Sequence, residues 1–316
     1  MHFSNLAHNV GPLTILGLAQ GAIIALFALG YTLVYGVLRL INFAHSEVFL
    51  MGTYAAWATW GLFGLTVNSR APAFWPMVGL LVAGLVAAVV ASGITALTLE
   101  FAAYRPLRRR NAPPLTFLIT AIGASLFLSE VAGVFTQHQS RGIQPVIAQK
   151  NVFTIGNMHV TNLQILIIVL ALGAMFALDR FINNSRLGRG VRAVAQNPDS
   201  AALMGVNKGR VISLVFLLGG LTAGVAAVMY DLKIGTTIYD AGTILGIEAF
   251  TAAVLGGIGN LRGALLGGLL LGLLESYASS LFGTAWQHAV AFVLLVLILM
   301  FRPTGLLGES LGRARA

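Results

Sequence analysis

Residues 77–99 read MVGLLVAGLVAAVVASGITALTL, a run of 23 residues without a single charged side chain. A helix that crosses the hydrocarbon core of a bilayer needs about 20 predominantly apolar residues. Inside that core the backbone must satisfy its own hydrogen bonds, which helices and closed barrels alone can do. An uncharged run of this length is typical of a spanning helix. This stretch therefore predicts a helical membrane protein.

The composition of the whole chain agrees with this stretch. Hydrophobic residues make up 57% and charged residues 9% of the 316 residues, whereas soluble domains contain about 25% charged residues. The mean hydropathy is +0.86. So few charges cannot cover a surface that faces water. We therefore expect an all-α, polytopic transmembrane helix bundle, forming a single transmembrane domain over residues 1–316.

Further apolar segments predict the other spans. Together with residues 77–99 they are residues 12–38, 47–63, 115–135, 163–178, 211–230, 244–258, 263–281 and 285–301. Two of them, 244–258 and 263–281, are short and rich in glycine. The pattern predicts eight or nine spans, with some of the short helices interrupted or re-entrant.

The distribution of basic residues predicts the orientation. If the nine segments alternate, only four of the 19 Lys and Arg residues (Arg70, Arg141, Lys150 and Lys233) fall on one side and the other 15 fall on the opposite side. Basic residues mark cytoplasmic loops. We expect a periplasmic N-terminus, a cytoplasmic C-terminus, a periplasmic loop at 136–161 and a cytoplasmic loop at 183–210. The first ten residues contain no Lys or Arg, so we expect no cleavable signal peptide.

The sequence lacks the residues that several classes of function require. The chain has no cysteine, and its six histidines form no HExxH pattern, so disulfides, thiolate chemistry and a histidine metal site are not expected. None of its three lysines follows a glycine, so there is no phosphate-binding GK[ST] loop. The net charge of +9 fits cytoplasmic loops better than nucleic-acid binding. We expect a non-catalytic protein that takes energy from a partner or an ion gradient.

A polar cluster interrupts the apolar pattern after the first span. Residues 39–47, RLINFAHSE, place Asn42, His45, Ser46 and Glu47 between two hydrophobic runs. Polar groups at membrane depth usually line a cavity or a helix break. The alternative is a cytoplasmic turn in which Ser46 caps the next helix and Glu47 occupies its first turn.

A second segment is weakly similar to the first. Residues 246–259, GIEAFTAAVLGGIG, place Glu248 ahead of a short apolar helix, as residues 43–57 place Glu47. Repeats with interrupted helices mark substrate paths in many transporters. The same two interpretations, path or simple turn, apply to Glu248.

Three other carboxylates lie in or beside apolar segments. We expect Glu130 and Glu275 to face the bundle interior and Glu100, next to the basic run at 105–110, to lie at the membrane interface. Glycine pairs four residues apart, such as Gly220 and Gly224, predict close helix packing.

The cytoplasmic loop contains its own helix signals. It reads SRLGRGVRAVAQNPDSAALMGVNKGR over residues 185–210. We expect one basic helix at 187–196 and a second at 199–204, with Asn197 as N-cap and Pro198 at the first helical position. Asp199 then occupies the first turn and Gly205 ends the helix. An ordered pair of short helices on this face predicts a docking surface.

Three stretches carry a resemblance to a known family. LINFAHSEVFLMGTYAAW (40–57), RAVAQNPDSAALMGVN (192–207) and FTAAVLGGIGNLRGALLGGLLLGLLES (250–276) resemble permease subunits of branched-chain amino-acid ABC importers. The resemblance covers about residues 10–305. It is less specific for the substrate, because relatives carry urea, amides or other amino acids.

The resemblance implies a set of partners. These are a second permease, as a heterodimer or a homodimer, two cytoplasmic ATP-binding subunits, a periplasmic substrate-binding protein and the lipid bilayer, with no nucleic acid. The chain itself would hold no cofactor, since ATP binds to the partner subunits. Its location would be the bacterial inner membrane.

The resemblance also assigns roles to residues. It implies a substrate path beside Asn42, His45, Ser46, Glu47 and Glu248. Residues 192–207 would insert into the ATPase, with the motif positions Arg192, Asn197, Pro198, Asp199, Ala202 and Gly205. The alternative function is a secondary transporter driven by an ion gradient, for which Glu130 and Glu275 are the candidate coupling groups.

Overall fold

The computed structural model describes residues 3–155 and 158–308, which contain twelve α-helices and four short strands. The helices are α1 (Phe3–Leu38), α2 (His45–Leu62), α3 (Phe74–Leu99), α4 (Arg105–Arg109), α5 (Pro114–Thr136), α6 (Asn162–Asn184), α7 (Arg186–Gln196), α8 (Pro198–Leu203), α9 (Lys208–Ile234), α10 (Ala241–Gly256), α11 (Leu261–Phe282) and α12 (Gln287–Phe301). The strands are β1 (Arg141–Gly142), β2 (Asn151–Ile155), β3 (Met158–Thr161) and β4 (Thr236–Thr237). A π-helical turn at Glu100–Tyr104 joins α3 to α4, and a 3₁₀ turn at Thr284–Trp286 precedes α12.

Seven of the described helical segments are long and apolar enough to cross a membrane. They are Asn9–Leu38, Phe74–Arg109, Pro114–Thr136, Asn162–Asn184, Lys208–Ile234, Leu261–Phe282 and Thr284–Phe301. Helix α10 is apolar but has only 16 residues, and α2 begins with His45, Ser46 and Glu47. The polytopic helix bundle with short additional helices is therefore confirmed.

Helices α1 and α11 pack antiparallel through small residues. A Cβ built on Gly21 would lie 2.7 Å from the carbonyl oxygen of Gly268, and one on Gly17 would lie 2.9 Å from that of Gly272. Such backbone approach is open only to glycine, and it supplies van der Waals contact where lipid gives no hydrophobic drive for helix association. The small residues thus determine how closely α1 and α11 pack.

Helix α9 also packs closely against α3 through glycines. A Cβ on Gly224 would lie 2.6 Å from the Cα of Val89, and one on Gly220 would lie 2.8 Å from the carbonyl oxygen of Ser92. The predicted packing role of these two glycines is confirmed. Helices α1 and α9 form the buried centre around which the other spans lie.

The loop at 136–161 has secondary structure that the sequence pattern did not predict. Strand β1 pairs antiparallel with β4, which follows α9, and β2 pairs with β3 in a hairpin. Thr161 then caps α6, with Gln164 completing a reciprocal capping box. The strands are short and the β1–β4 pairing joins segments about 95 residues apart, so local periodicity carries no signal for it.

The three membrane carboxylates behave differently from one another. Glu275 is fully buried, as predicted. The expectation for Glu130 is wrong, because its side chain is 64% exposed and pairs with His138 at 3.2 Å at the end of α5. Glu100 is fully buried and pairs with Arg105 at 3.2 Å and Arg108 at 2.6 Å. Helix α5 contacts the bundle along one narrow face, and Glu130 lies off that face.

Candidate transport path and coupling surface

Helix α2 begins inside the bundle. The chain leaves α1 at Leu38, turns at Arg39 with φ +54°, and runs back without helical structure until α2 starts at His45. There the imidazole ring lies 4.9 Å from the ring of Tyr31 on α1. A Cβ on Gly30 would lie 2.1 Å from its Nε2 atom, so glycine is required opposite the ring. The start of α2 is therefore re-entrant and does not form a simple turn at the end of α1.

The side chains at this start are buried and only partly satisfied. Ser46 and Ser125 donate to one oxygen of Glu47 at 3.2 and 3.1 Å. The second Glu47 oxygen and the Nε2 atom of His45 are buried without a hydrogen-bond partner among the described residues. Asn42 accepts a 2.5 Å hydrogen bond from Tyr104. The structure thus buries all four predicted residues of the α1–α2 connection inside the bundle, where the Glu47 carboxylate is only partly satisfied.

Ser46 has a different local role from the capping alternative. The N-cap of α2 is Ala44, which makes no side-chain cap, and the Ser46 hydroxyl donates to the carbonyl of Phe43 at 2.6 Å. Ser46 lies instead against the first turn of α10. A Cβ on Gly242 would lie 2.6 Å from the Ser46 carbonyl oxygen, and one on Gly246 would lie 2.8 Å from its Cβ. The N-terminal ends of two short helices therefore meet at Glu47.

Glu248 belongs to a separate polar cluster. It lies in the middle of α10, 2% exposed, and pairs with His288 of the last span at 2.5 Å. Glu275 lies within electrostatic range of both Glu248 and Lys233, and the Lys233 ammonium donates to Gln20. The sequence pattern had treated Glu275 as isolated, because its partners come from helices distant in the chain.

A third cluster lies at the end of the bundle that carries the strands, and sequence reasoning missed it. The Nε atom of Arg141, one carboxylate oxygen of Asp240 and both of Asp231 are buried without a hydrogen-bond partner within the described residues. The Nη2 atom of Arg141 donates to the carbonyl of Thr136 at 3.1 Å, and the Tyr54 hydroxyl lies beside the side chain of Thr136. The Tyr54 hydroxyl lies within electrostatic range of the other three groups. No ion pair joins Arg141 to either aspartate in this part of the chain. We define these four residues as the outer cluster.

The outer cluster is connected to the start of α2. Asp240 lies within electrostatic range of Tyr54 and also of Glu47. Phe49 and Tyr230 pack edge to face at 5.4 Å in the same region. Buried polar groups without partners cost free energy in a bilayer, so this row of groups is a candidate binding site. The only sign of the outer cluster in the sequence is Asp231, which directly follows the apolar run at 211–230.

The loop at 183–210 folds as its helix signals predicted. Ser185 caps α7, and Asn197 caps α8 by accepting from the backbone N–H groups of Asp199 and Ser200 at 3.0 and 2.9 Å. Pro198 is the first residue of α8. Gly205 follows with φ +84°, a left-handed conformation that favours glycine. The predicted pair of short helices is confirmed.

The pair is held firmly against the bundle. The Arg192 guanidinium donates to the carbonyl of Ile182 at the end of α6, so this predicted residue faces inward. A Cβ on Gly188 would lie 2.2 Å from the same carbonyl oxygen, which shows how closely α7 approaches α6. Arg39 adds a 3.4 Å hydrogen bond to Ala195.

The tip of α8 presents an exposed surface. Asp199 pairs with Lys208 at 2.6 Å, and this hydrogen bond lowers the pKa of Asp199 below its ordinary value. The pair is therefore formed at neutral pH and is lost only as the pH falls through that lowered pKa. Ala202 is exposed, and beside it Leu203 and Met204 are 89% and 85% exposed. These two apolar residues were missed because hydropathy alone does not tell an exposed leucine from a buried one.

Comparisons with known proteins agree with the geometry. The family model for the permease component of branched-chain amino acid transport systems matches residues 13–299. The high-affinity branched-chain amino acid transport system permease protein BraD of Pseudomonas aeruginosa is 40% identical, with 93% of this chain and 94% of that protein covered.

Two further relatives show how widely the similarity extends. LivH of Escherichia coli K12, a permease protein of the same description, is 38% identical over 93% of this chain and 94% of its own length. A probable branched-chain amino acid transport permease of Methanocaldococcus jannaschii is 26% identical over 92% of this chain and 91% of its own length. From the match over nearly all of its length, this chain belongs to the family of branched-chain amino acid transport system permease components.

Proposed function

We propose that the chain is a membrane-spanning subunit of an ATP-driven importer for branched-chain amino acids, and that it forms the translocation path together with a second permease. The observation that carries this proposal is its full-length membership of a branched-chain amino acid permease family. Since the sequence has no phosphate-binding loop, ATP would be hydrolysed by two separate cytoplasmic subunits. A periplasmic binding protein would deliver the substrate.

The coupling surface in this proposal is the segment 192–207, which comprises the end of α7 and all of α8. Closure of the ATPases would move α8, and the caps at Asn197 and Gly205 would transmit that motion to α9 as a rigid unit. Leu203 and Met204 offer the apolar contact, with the Asp199–Lys208 pair at the rim. Burial of apolar surface is a main driving force of protein association. Arg192 would act from inside by fixing α7 to α6.

The path in this proposal runs from the outer cluster to the start of α2. A branched-chain amino acid carries an ammonium group, a carboxylate and an apolar side chain. The unpaired carboxylates of Asp231 and Asp240 suit the ammonium group, and Arg141 suits the carboxylate. Phe49 and Tyr230 suit the side chain. Glu47 and its neighbours Asn42, His45 and Ser46 would line the next section of the path. Glu248 would contribute to the path from the cluster that it forms with His288 and Glu275.

The deciding measurement is leucine uptake into proteoliposomes that contain the chain with its co-purified partners and a binding protein. Uptake that requires both ATP and the binding protein is the expected result. ATPase stimulation by a binding protein loaded with urea or an amide, without leucine uptake, would keep the architecture and replace the substrate. Uptake that follows an ion gradient without ATP would overturn the proposal in favour of a secondary transporter.

The cluster of Glu248, Glu275, Lys233 and His288, in which the two carboxylates are buried, is the observation that would favour this second function, because ionisable groups inside a bundle mark ion pathways in many transporters. Collapse of uptake by an uncoupler, without ATP, is the corresponding readout. Glu130 would have no part in it, since its side chain is largely exposed.

A further inference from the structure

An open cavity of about 400 Å³ lies where the α3–α4 segment meets the start of α9. Its lining is Arg105, Arg108, Arg109, Asn207, Gly209 and Arg210. Four of these six residues are arginines, and they come from two elements far apart in the chain. Of this lining, only Asn207 belongs to the segment 192–207 that the proposed transport cycle uses.

The positive charge of the cavity exceeds the negative charge near it. Glu100 is fully buried behind Arg105 and Arg108 and accepts from both, and Ser213 donates to it at 3.2 Å. Within the described residues, Arg109 and Arg210 form no ion pair. The four guanidinium groups are therefore balanced by a single carboxylate, and the excess positive charge makes the cavity suited to an anion.

One guanidinium donor already lacks a partner. The Nη1 atom of Arg108 is buried without a hydrogen-bond acceptor, while its Nη2 atom is fixed on Glu100 at 2.6 Å. That donor is closed off from solvent, and the pairing with Glu100 holds the Arg108 side chain in place at the wall of the cavity. Arginine presents such donors in a planar fork that matches phosphate oxygens.

An apolar stripe on α3 leads directly to the cavity. Val86, Val90 and Ile94, spaced by four residues, are 56%, 50% and 59% exposed, and Phe101 further along is 47% exposed. The guanidinium of Arg105 stacks on the Phe101 ring at 4.1 Å. A ligand that covers both regions must be anionic at one end and hydrocarbon along its length.

We propose that this cavity binds the phosphate group of an anionic phospholipid of the cytoplasmic leaflet, with an acyl chain lying along the α3 stripe. Basic pockets at the cytoplasmic ends of membrane helices are suited to such headgroups. A soluble phosphate or nucleotide would leave the stripe unused, and an acidic protein surface would not reach along the membrane-spanning part of α3.

The test is native mass spectrometry of the purified full-length chain, titrated with phosphatidylglycerol and with phosphatidylcholine of the same chain length. The variant is the double substitution Arg109→Ala and Arg210→Ala, which leaves both partners of Glu100 in place. We expect selective binding of phosphatidylglycerol to the unmodified chain and a loss of roughly tenfold or more in the variant. The matched control, Arg186→Ala with Arg189→Ala in exposed positions of α7, should bind as before.

Several outcomes would overturn the proposal. They are equal binding of phosphatidylcholine, unchanged binding by the double variant, and full displacement of the lipid by millimolar inorganic phosphate, which would indicate a site for free anions. Loss of bound phosphatidylglycerol on addition of the ATPase subunits would show that a protein surface fills the cavity. If the double variant is unstable, Arg109→Gln alone gives the same comparison, because a single exposed arginine is replaced.

Discussion

At the residue scale, Asp231 carries the sharpest functional signal. It is fully buried, and neither of its carboxylate oxygens has a partner in the described structure. Such a group lowers stability unless a ligand, water or proton compensates it. The proposed path gives it the ammonium group of the substrate.

Asp231→Asn is therefore expected to reduce leucine uptake by at least about tenfold, since a charged hydrogen bond of about 1.5–3 kcal/mol is lost. ATPase stimulation by the loaded binding protein should remain. The melting temperature should rise, because a buried unpaired carboxylate is removed. Uptake and thermal unfolding are the two measurements. The control is Asp179→Asn, which alters a half-buried aspartate 3.7 Å from Arg262, and unchanged uptake by Asp231→Asn would contradict the assignment.

Leu203 provides a second test at this scale. Leu203→Asp should leave the chain folded, because its side chain is 89% exposed, yet lower both uptake and stimulated ATPase activity several-fold by placing a charge in an apolar contact. Leu187→Asp, at a 58% exposed position of α7, is the matched control. Equal effects of the two substitutions would show that α8 is not the specific contact.

At the scale of elements, helix packing depends on glycine at defined contacts and not on glycine in general. Gly268 of α11 faces α1 so closely that a Cβ would lie 2.4 Å from the Cα of Ala25. A Cβ on Gly173 of α6 would meet no atom within 4 Å. Both residues lie inside helices, so replacing either by alanine changes helix propensity by a similar amount. The two replacements differ in their effect on packing.

Gly268→Ala is expected to destabilise the chain by about 1–3 kcal/mol, because α1 and α11 must separate. Gly173→Ala should stabilise it by about 0.5–1 kcal/mol through helix propensity. Thermal unfolding of both variants in the same detergent measures the difference. Similar melting temperatures would refute close packing of α1 and α11 as a main source of stability.

At the scale of the whole molecule, the arginine-rich ends of α1, α3, α6 and α11 lie on one side, and contacts such as Arg39 with Ala195 and Arg262 with Asp179 join them there. The strands lie at the other end of the bundle. This arrangement fits the orientation inferred from the basic residues, with the α7–α8 pair in the cytoplasm.

The natural lack of cysteine makes the orientation directly testable. Ser200→Cys in α8 should react with a membrane-impermeant maleimide only in inverted vesicles. Thr154→Cys in β2, also at an exposed position, should react only in right-side-out cells. Labelling of both from one side would disprove the alternating arrangement, and labelling with the opposite pattern would reverse the orientation.

Features that depend on neighbouring residues could be predicted from the sequence. Uncharged runs such as residues 77–99 specified the spans, because a bilayer requires about 20 apolar residues in succession. Asn197, Pro198 and Gly205 specified the two short helices α7 and α8, because capping acts within a few residues. The family resemblance of residues 40–57, 192–207 and 250–276 was likewise contained in the sequence.

Tertiary structure alone decided which polar groups meet. Glu47 lies beside Ser125, Glu248 joins His288, and Lys233 reaches Gln20, and each pair combines residues distant in the chain. The apolar pattern could not predict that Glu130 is exposed while Glu275 is buried. In a membrane both faces of a helix are apolar, so hydropathy does not distinguish the face toward lipid from the face toward protein, and close packing through glycine fixes that choice.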